Sequence, residues 1–417
     1  MHMKIEKFSM GIGDRFGQQG RAQLTAFITA ARSGVHVVPV WNKSNREHLI
    51  LHSEPSAVRA EADDAVRALG WKGTYHVDAD HIGIKTVDRF LPVSDFFTID
   101  VADFIGKPTD EPGLDDLIRL LSKVGPRPEI PSVSRPFELA PEKIRAIAAK
   151  YLAAVKEAGR VYRYIEKARG RGNFITEVSM DETDRPQTPE DLLVILAALA
   201  CEGVPVQTIA PKFTGRFNKG VDYQGDPEVF EREFMDDIAV VAFAVRHFGL
   251  PEELKLSVHS GSDKFSIYAP INRTVKRMNC GLHLKTAGTT WLEEIAALAA
   301  AGGEGTAFAR EVYVGALEHY DELCAPYASV IDIDRSRLPS AEKVQSLPGD
   351  AFAAMIRHDP HNPAYNPSVR QLLHVGYKLA ANAGPRYTSL LKAYAEPIGQ
   401  AVTENILNRH LLKIFGS

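Results

Sequence analysis

Short apolar runs recur along the first two-thirds of the chain, with amphipathic stretches between most of them. Val35 to Trp41 is apolar at nearly every position, as expected of a parallel strand buried on both faces. Similar runs lie at Phe8-Ser9-Met10, Thr74 to Val77, Phe96 to Ile99, Phe174 to Ser179, Val206 to Ala210, Leu254 to Val258 and Leu282 to Leu284. Helical periodicity fills much of the space between. Arg21 to Ser33 carries Leu24, Phe27, Ile28 and Ala31 on one face, and Ser56 to Leu69, Pro189 to Glu202 and Asp226 to Phe248 repeat the pattern. Strands alternating with helices predict a parallel sheet, and eight strands are the number that closes a TIM (β/α)8 barrel. The rhythm breaks between Lys107 and Pro141, a stretch rich in proline and charge, before a long amphipathic helix over Glu142 to Lys167. We read residues 104–172 as a helical insertion after strand 4. Residues 1–300 are then the catalytic barrel, and residues 301–417 a mostly helical C-terminal extension packed on it.

A chain of 417 residues exceeds the usual single-domain size, but barrels with insertions reach it. Its net charge of −4 offers no basic field for nucleic acid. No run approaches the roughly 20 apolar residues of a membrane span, and the start lacks a leader-like apolar core. Cys201, Cys280 and Cys324 are odd in number and far apart, which argues against a disulfide framework. The expectation is a cytoplasmic protein with a small-molecule partner, no nucleic acid and no membrane; a homo-oligomer is left open.

The strand ends carry the chemistry. His76-Val77-Asp78-Ala79-Asp80-His81 delivers two carboxylates and two imidazoles into one loop, and the runs ending at His259 and His283 finish alike. Three histidines at three strand ends suit one divalent cation with a position open for substrate. Asp80, beside His81, is free to move a proton. A barrel gathers its strand ends on one face. Asp14, Arg15, Lys43, Asp80, His81, Asp100, Glu177, Asp181, Lys212, His259, Lys264, His283 and Lys285 would share that rim. Glu177 lies inside an apolar strand and so needs a metal, a lysine or a proton; it reads equally as a buried partner of Lys212 or Lys285. The Gly11 to Gly17 loop lacks the third glycine and the acidic strand end of a dinucleotide site. Ser260 to Lys264 and Thr286-Ala287-Gly288-Thr289-Thr290 have the small residues and free N–H groups of anion-binding loops.

These motifs, in this order, resemble the tagaturonate/fructuronate epimerases. The shared stretches are Gly-x-Gly-Asp-Arg from Gly11, Asp-Ala-Asp-His from Asp78, Phe-Thr-Ile-Asp from Phe97, Glu-Val-Ser-x-Asp-Glu-Thr from Glu177, Lys-Gly-x-Asp-Tyr-x-Gly-Asp from Lys219, His-Ser-Gly-Ser-Asp-Lys-Phe-Ser from His259 and His-x-Lys-Thr-Ala-Gly-Thr from His283. A late Val-Arg-Gln-Leu-x-His-Val, Val369 to Val375, matches as well. The resemblance departs at Asn42-Lys43-Ser44-Asn45 and at the front, where members carry a further region before the first motif.

The resemblance implies a metal-dependent inversion at C4 of a six-carbon 2-keto uronic acid, through retro-aldol cleavage and re-formation of C3–C4. By likeness to class II aldolases it also implies that His81, His259 and His283 hold one divalent ion, Zn, Mn, Ni, Co or Fe. Asp80 would then be the acid/base, with Glu177 a second acid/base or an additional ligand. Asp14, Arg15, Lys43, Asp181, Lys212, Lys264 and Lys285 would bind the hydroxyls and carboxylate of the sugar acid. A class II aldolase or a ketose isomerase would use the same residues; a sugar-binding protein would need no Asp80 beside His81.

Overall fold

The computed structural model describes residues 2–108, 113–133, 136–183, 185–286 and 288–416. Eight parallel strands close into a barrel in chain order: β1 (Phe8–Gly13), β2 (Val38–Ser44), β3 (His76–Ile82), β4 (Phe96–Asp100), β5 (Ile175–Ser179), β6 (Thr208–Ala210), β7 (Lys255–His259) and β8 (Leu282–Lys285), with β8 pairing back onto β1. The TIM-type architecture is thus the one the rhythm predicts. Several strands outrun their apolar stretches. Asn42, Lys43 and Ser44 belong to β2, and Asp78 to His81 belong to β3. The ladder satisfies their backbone groups whatever the side chain, and a barrel mouth tolerates polar side chains that a sheet face would not.

The crossovers are helical except one. Between β3 and β4 the described residues form only a turn, Val87–Arg89, whose buried Val87 and Phe90 fill the wall. Between β4 and β5 the helix Pro141–Arg169 packs on β4 and on the helix Pro189–Cys201, so it stands in place of a fourth crossover helix. A short helix the periodicity does not announce, Asn45–Leu51, starts directly at the end of β2. Ser44 and Glu47 form a reciprocal capping box there.

The helices beyond Thr289–Ala300 wrap the wall. Gly303–Glu318 and Gly349–Ile356 pack on Thr289–Ala300, and Ala395–Glu404 packs on that helix and on Gly20–Arg32. One apolar cluster joins Leu24, Phe27, Trp291 and Ile295 to Val369, Leu372, Tyr387 and Ile398. A polar tie runs through Arg370, which is fully buried. Its Nη2 donates to Asp263 Oδ2 at 2.8 Å, its Nε to the Gly220 carbonyl and its Nη1 to the Ile356 carbonyl, each at 2.7 Å. Truncating one partner of a buried ion pair strands the other, at a cost of about 3–5 kcal/mol. Arg370→Ala is therefore expected to lower unfolding stability by that amount, read as a shifted denaturant midpoint; a change below about 1 kcal/mol would mean that His358 Nδ1, 3.2 Å from Asp263 Oδ2, and His410 Nε2, 3.4 Å from Asp263 Oδ1, already satisfy Asp263.

Candidate active site

Register decides which strand-end groups meet. On β8, His283 pairs with Ser9 and Ser257, whereas Lys285 pairs with Gly11 and His259. Inward side chains alternate along a strand, so successive layers lie roughly 6.6 Å apart. His283 therefore sits one layer deeper than His259. Its Nδ1 is 2.9 Å from Ser9 Oγ, its ring packs 5.2 Å from that of Phe96, and burial pulls its pKa down to about 3. Among the described residues, the potential metal donors within 4.8 Å of one another belong to His81, Asp181 and His259. The structure places Asp181, expected on the substrate side, in that group, and does not place His283 there.

Alternation after Asp78 and Asp80 would turn His81 toward the helices. A register shift against β4 between Ala79 and Ile82, with a left-handed backbone at His81 (φ 50°), turns the ring back over the mouth. His81 Nδ1 lies 3.0 Å from Asp100 Oδ2, and its Nε2 lies 3.8 Å from Asp80 Oδ1. His259 is held likewise: Nε2 is 2.8 Å from Glu177 Oε1, and Nδ1 is 3.2 Å from Asp181 Oδ1 without forming a hydrogen bond. The two rings stand 5.2 Å apart. Ser179 Oγ steadies Asp181 at 2.5 Å. Burial opposes charge on both imidazoles, but the carboxylates outweigh it. Asp80, Asp100 and Asp181 lift His81 to about 10, and Asp181 and Glu177 lift His259 to about 9. Each ring thus has one nitrogen on an outer carboxylate and one toward the group, the arrangement of metal-ligating histidines. This donor set, half-buried in a negative field, fits one divalent cation with positions left for substrate.

Lys285 lies alongside. Its Nζ is 2.7 Å from Asp78 Oδ2, 2.8 Å from Asp80 Oδ1, 3.1 Å from Glu177 Oε1 and 2.5 Å from Thr98 Oγ1. Burial works against the ammonium, yet Asp78, Asp80 and Glu177 raise its pKa well above the ordinary lysine range. Burial also opposes the charge on Asp80 and Glu177, and Lys285 outweighs it and keeps both ionised. For Asp78, burial prevails over Lys285 and is reinforced by Asp80 and Glu177, and the carboxyl rises to about 7.

The remaining predicted residues divide. Asp14 accepts the backbone N–H groups of Phe16, Gln18 and Gln19 at 2.5–2.9 Å, so it shapes its own loop. Arg15 pairs with Glu47 at 2.9 Å and lies over the Tyr377 ring, and Lys43 donates to the Arg15 carbonyl at 2.9 Å. The backbone N–H of Lys212 donates to Gln187 Oε1 at 2.6 Å and its Nζ to the Thr183 carbonyl, tying two loops together. Lys264 is fully buried on Ser262, and burial lowers it to about 7. In the Thr286 to Thr290 loop, Ala287 lies outside the described residues. Thr98, Glu47 and His374 escaped the strand-end reading, and Asp78, one of its two β3 carboxylates, was given no role there. Asp78 was legible, since it stands two residues before Asp80 and must share its face.

The chain matches the UxaE tagaturonate epimerase family over residues 1–395. It is 29% identical over 386 residues to the tagaturonate/fructuronate epimerase of Thermotoga maritima, covering 88% of this chain and 72% of that protein. A glycerol complex of fructuronate-tagaturonate epimerase UxaE from Cohnella laeviribosi superposes with a TM-score of 0.80 at 25% identity, over 100% of this chain and 82% of that one. The native form of that enzyme gives 0.79 at 24% identity, over 99% and 82%, a likeness of fold. The chain belongs to the tagaturonate epimerase family, a family of carbohydrate epimerases.

Proposed function

We propose that this protein interconverts D-tagaturonate and D-fructuronate by breaking and re-forming the C3–C4 bond with a divalent metal. The observation that carries the reading is the Asp80 carboxylate, ionised by Lys285 and 3.8 Å from the inward nitrogen of His81. The C4 hydrogen is β to the C2 carbonyl and is not acidified by it, whereas the C4 hydroxyl and C2 carbonyl form a β-hydroxy ketone, the unit that retro-aldol cleavage opens.

A divalent ion held by His81, Asp181 and His259 would supply Lewis acidity to negative charge on substrate oxygens. Zinc, manganese, nickel, cobalt and iron all suit two imidazoles and a carboxylate. Asp80 takes the C4 hydroxyl proton. The C4–O bond becomes a carbonyl, and the C3–C4 electron pair moves into the C2 carbonyl to leave an enediolate. Once the aldehyde has turned its other face, the bond re-forms and Asp80 returns the proton to the new C4 oxygen. Lys285 keeps Asp80 ionised for the first step, and Glu177 fixes the tautomer and tilt of His259. Arg15 and Lys43 meet the polar end of the sugar acid. The free thiols of Cys201, Cys280 and Cys324 suit the reducing cytoplasm.

Purified His81→Ala, His259→Ala and Asp181→Ala variants should each lose the metal measured by elemental analysis, together with turnover. His283→Asn should keep it; full occupancy in any of the first three removes that residue from the ligand set. Asp80→Asn should retain the metal yet lose at least the ~10²-fold in kcat expected of a general acid/base, and loss of the metal as well would make Asp80 a ligand. A substrate deuterated at C4 should epimerise in ordinary water with its label intact, because C4–H is never broken. Washout at the rate of epimerisation would turn Asp80 or Glu177 into a carbon base and end the retro-aldol reading.

A further inference from the structure

The cations beside the β7 and β8 loops are not all matched by anions. Arg15 shares Glu47 through Nε, but its buried Nη1 has no partner. Arg15 Nη2 lies 3.4 Å from His374 Nε2. A guanidinium only donates, so Nε2 is the acceptor and the ring proton resides on Nδ1. That Nδ1 is also without a partner, although His374 is only 1% exposed. Lys219 completes the group. Among the described residues no hydrogen bond or ion pair involves its Nζ, which lies 3.1 Å from where a Cβ on Gly261 would stand. A Cβ on Gly288 would meet the Gly261 carbonyl at 2.3 Å and His374 Cε1 at 2.7 Å. The two loops touch there through Gly288 N–H on the Gly261 carbonyl at 3.1 Å. The absence of side chains at Gly261 and Gly288 is what lets Lys219 and His374 lie against these two touching loops.

The acids nearby are engaged elsewhere. Asp263 is taken by Arg370, His358 and Thr289. Asp222 accepts from Tyr223 N–H and from Ser266 N–H and Oγ. Lys264, also within electrostatic reach of His374, is turned onto Ser262. What remains is a set of donors with no acceptor: Arg15 Nη1, His374 Nδ1 and Lys219 Nζ. An acceptor-only anion complements such a set, and the two oxygens of a carboxylate can be shared between Arg15 Nη1 and another of these donors.

We propose that Lys219, His374 and Arg15 grip the carboxylate of the sugar acid and so keep the aldehyde half of the substrate in the site while it turns. The proposal rests on the C4-inversion reading and assigns that reaction's carboxylate subsite. Cleavage of C3–C4 in a 2-keto hexuronate leaves the C6 carboxylate on the three-carbon aldehyde half, and inversion requires that half to rotate about C4–C5 without leaving. A grip on the far end permits the rotation and prevents the escape, which is what separates an epimerase from an aldolase built on the same metal chemistry.

The test compares D-glycerate, a three-carbon hydroxy acid, with glycerol as its uncharged match. Each is titrated calorimetrically into metal-loaded wild type, Lys219→Met and His374→Gln, all checked for unchanged thermal midpoints. Lys219→Met should weaken glycerate roughly 10- to 100-fold, the range of a hydrogen bond to a charged group, and leave glycerol unchanged; His374→Gln should act in the same direction. With fructuronate, Lys219→Met should raise KM and increase the share of turnovers that yield a hydrazine-trappable three-carbon aldehyde, and Lys219→Arg should restore part of both. Equal weakening of glycerate and glycerol, or of neither, overturns the proposal, as does a Lys219-dependent preference for glycerol phosphate over glycerate. If wild type leaves fructuronate unchanged while glycerate still depends on Lys219, the C4-inversion reading fails and the carboxylate site stands.

Discussion

One buried ammonium among three carboxylates sets the terms for the barrel mouth. Lys285 touches Asp78, Asp80 and Glu177, one from β5 and two from β3, from its place at the end of β8. At about 3 Å and an effective dielectric constant near 20, each contact amounts to roughly 5 kcal/mol. Taking each ion out of water costs several kcal/mol, so the cluster adds little net stability. Its consequence is chemical. Without Lys285, the acids would have to take up protons to remain buried, and Asp80 would lose the ionised state that a base needs. With it, Asp78 is the carboxyl pushed up to about 7, and the two carboxylates nearest the histidines are held low and stay charged.

That charge propagates outward through the imidazoles. Glu177 is shared between Lys285 and His259, so the lysine that ionises Asp80 also fixes the carboxylate that orients a candidate ligand. Asp100 performs the same task for His81 from β4. Both rings have their inward nitrogen defined before any ion arrives, which lowers the cost of organising a metal site.

The barrel was legible because burial on both faces leaves a strong mark: Val35 to Trp41 reads as a strand from its near-continuous apolar content, and the same rhythm recurs along the chain. The strand ends were legible in kind but not in depth. His283 and His259 look equivalent as strand-terminal histidines, and only the β7–β8 register puts His259 level with Lys285 and His283 level with Ser257. Asp181 looked like a loop carboxylate because it lies two residues beyond β5, and its role depends on Ser179 bending it back. The left-handed residue at His81 left no sign, since nothing in Asp-Ala-Asp-His specifies a bulge. The helix Asn45–Leu51 was missed for a different reason: its capping box, Ser44 to Glu47, follows a strand without a break, so the polar residues read as a loop.

Long-range closure is the part least visible in a linear reading. The Val369 to Val375 stretch was recognisable as a motif, but no periodicity says that Arg370 will reach Gly220 and Asp263 or that His374 will meet Arg15. The energetic reason for such reach lies in the chemistry proposed here. A retro-aldol step makes two fragments with no covalent link between them, and a barrel mouth opens to water. The candidate metal donors on β3, β7 and the loop after β5 would address the half that retains the C2 carbonyl. The other half needs contacts of its own, and those donors lie elsewhere: after β1, before the Gly220 turn and on the C-terminal helix Pro367–Val375. Burying Arg370 to anchor that helix places His374 over the β7 and β8 loops. On the proposed carboxylate grip, the C-terminal helices would serve retention of the aldehyde half, beyond their share in covering the barrel wall.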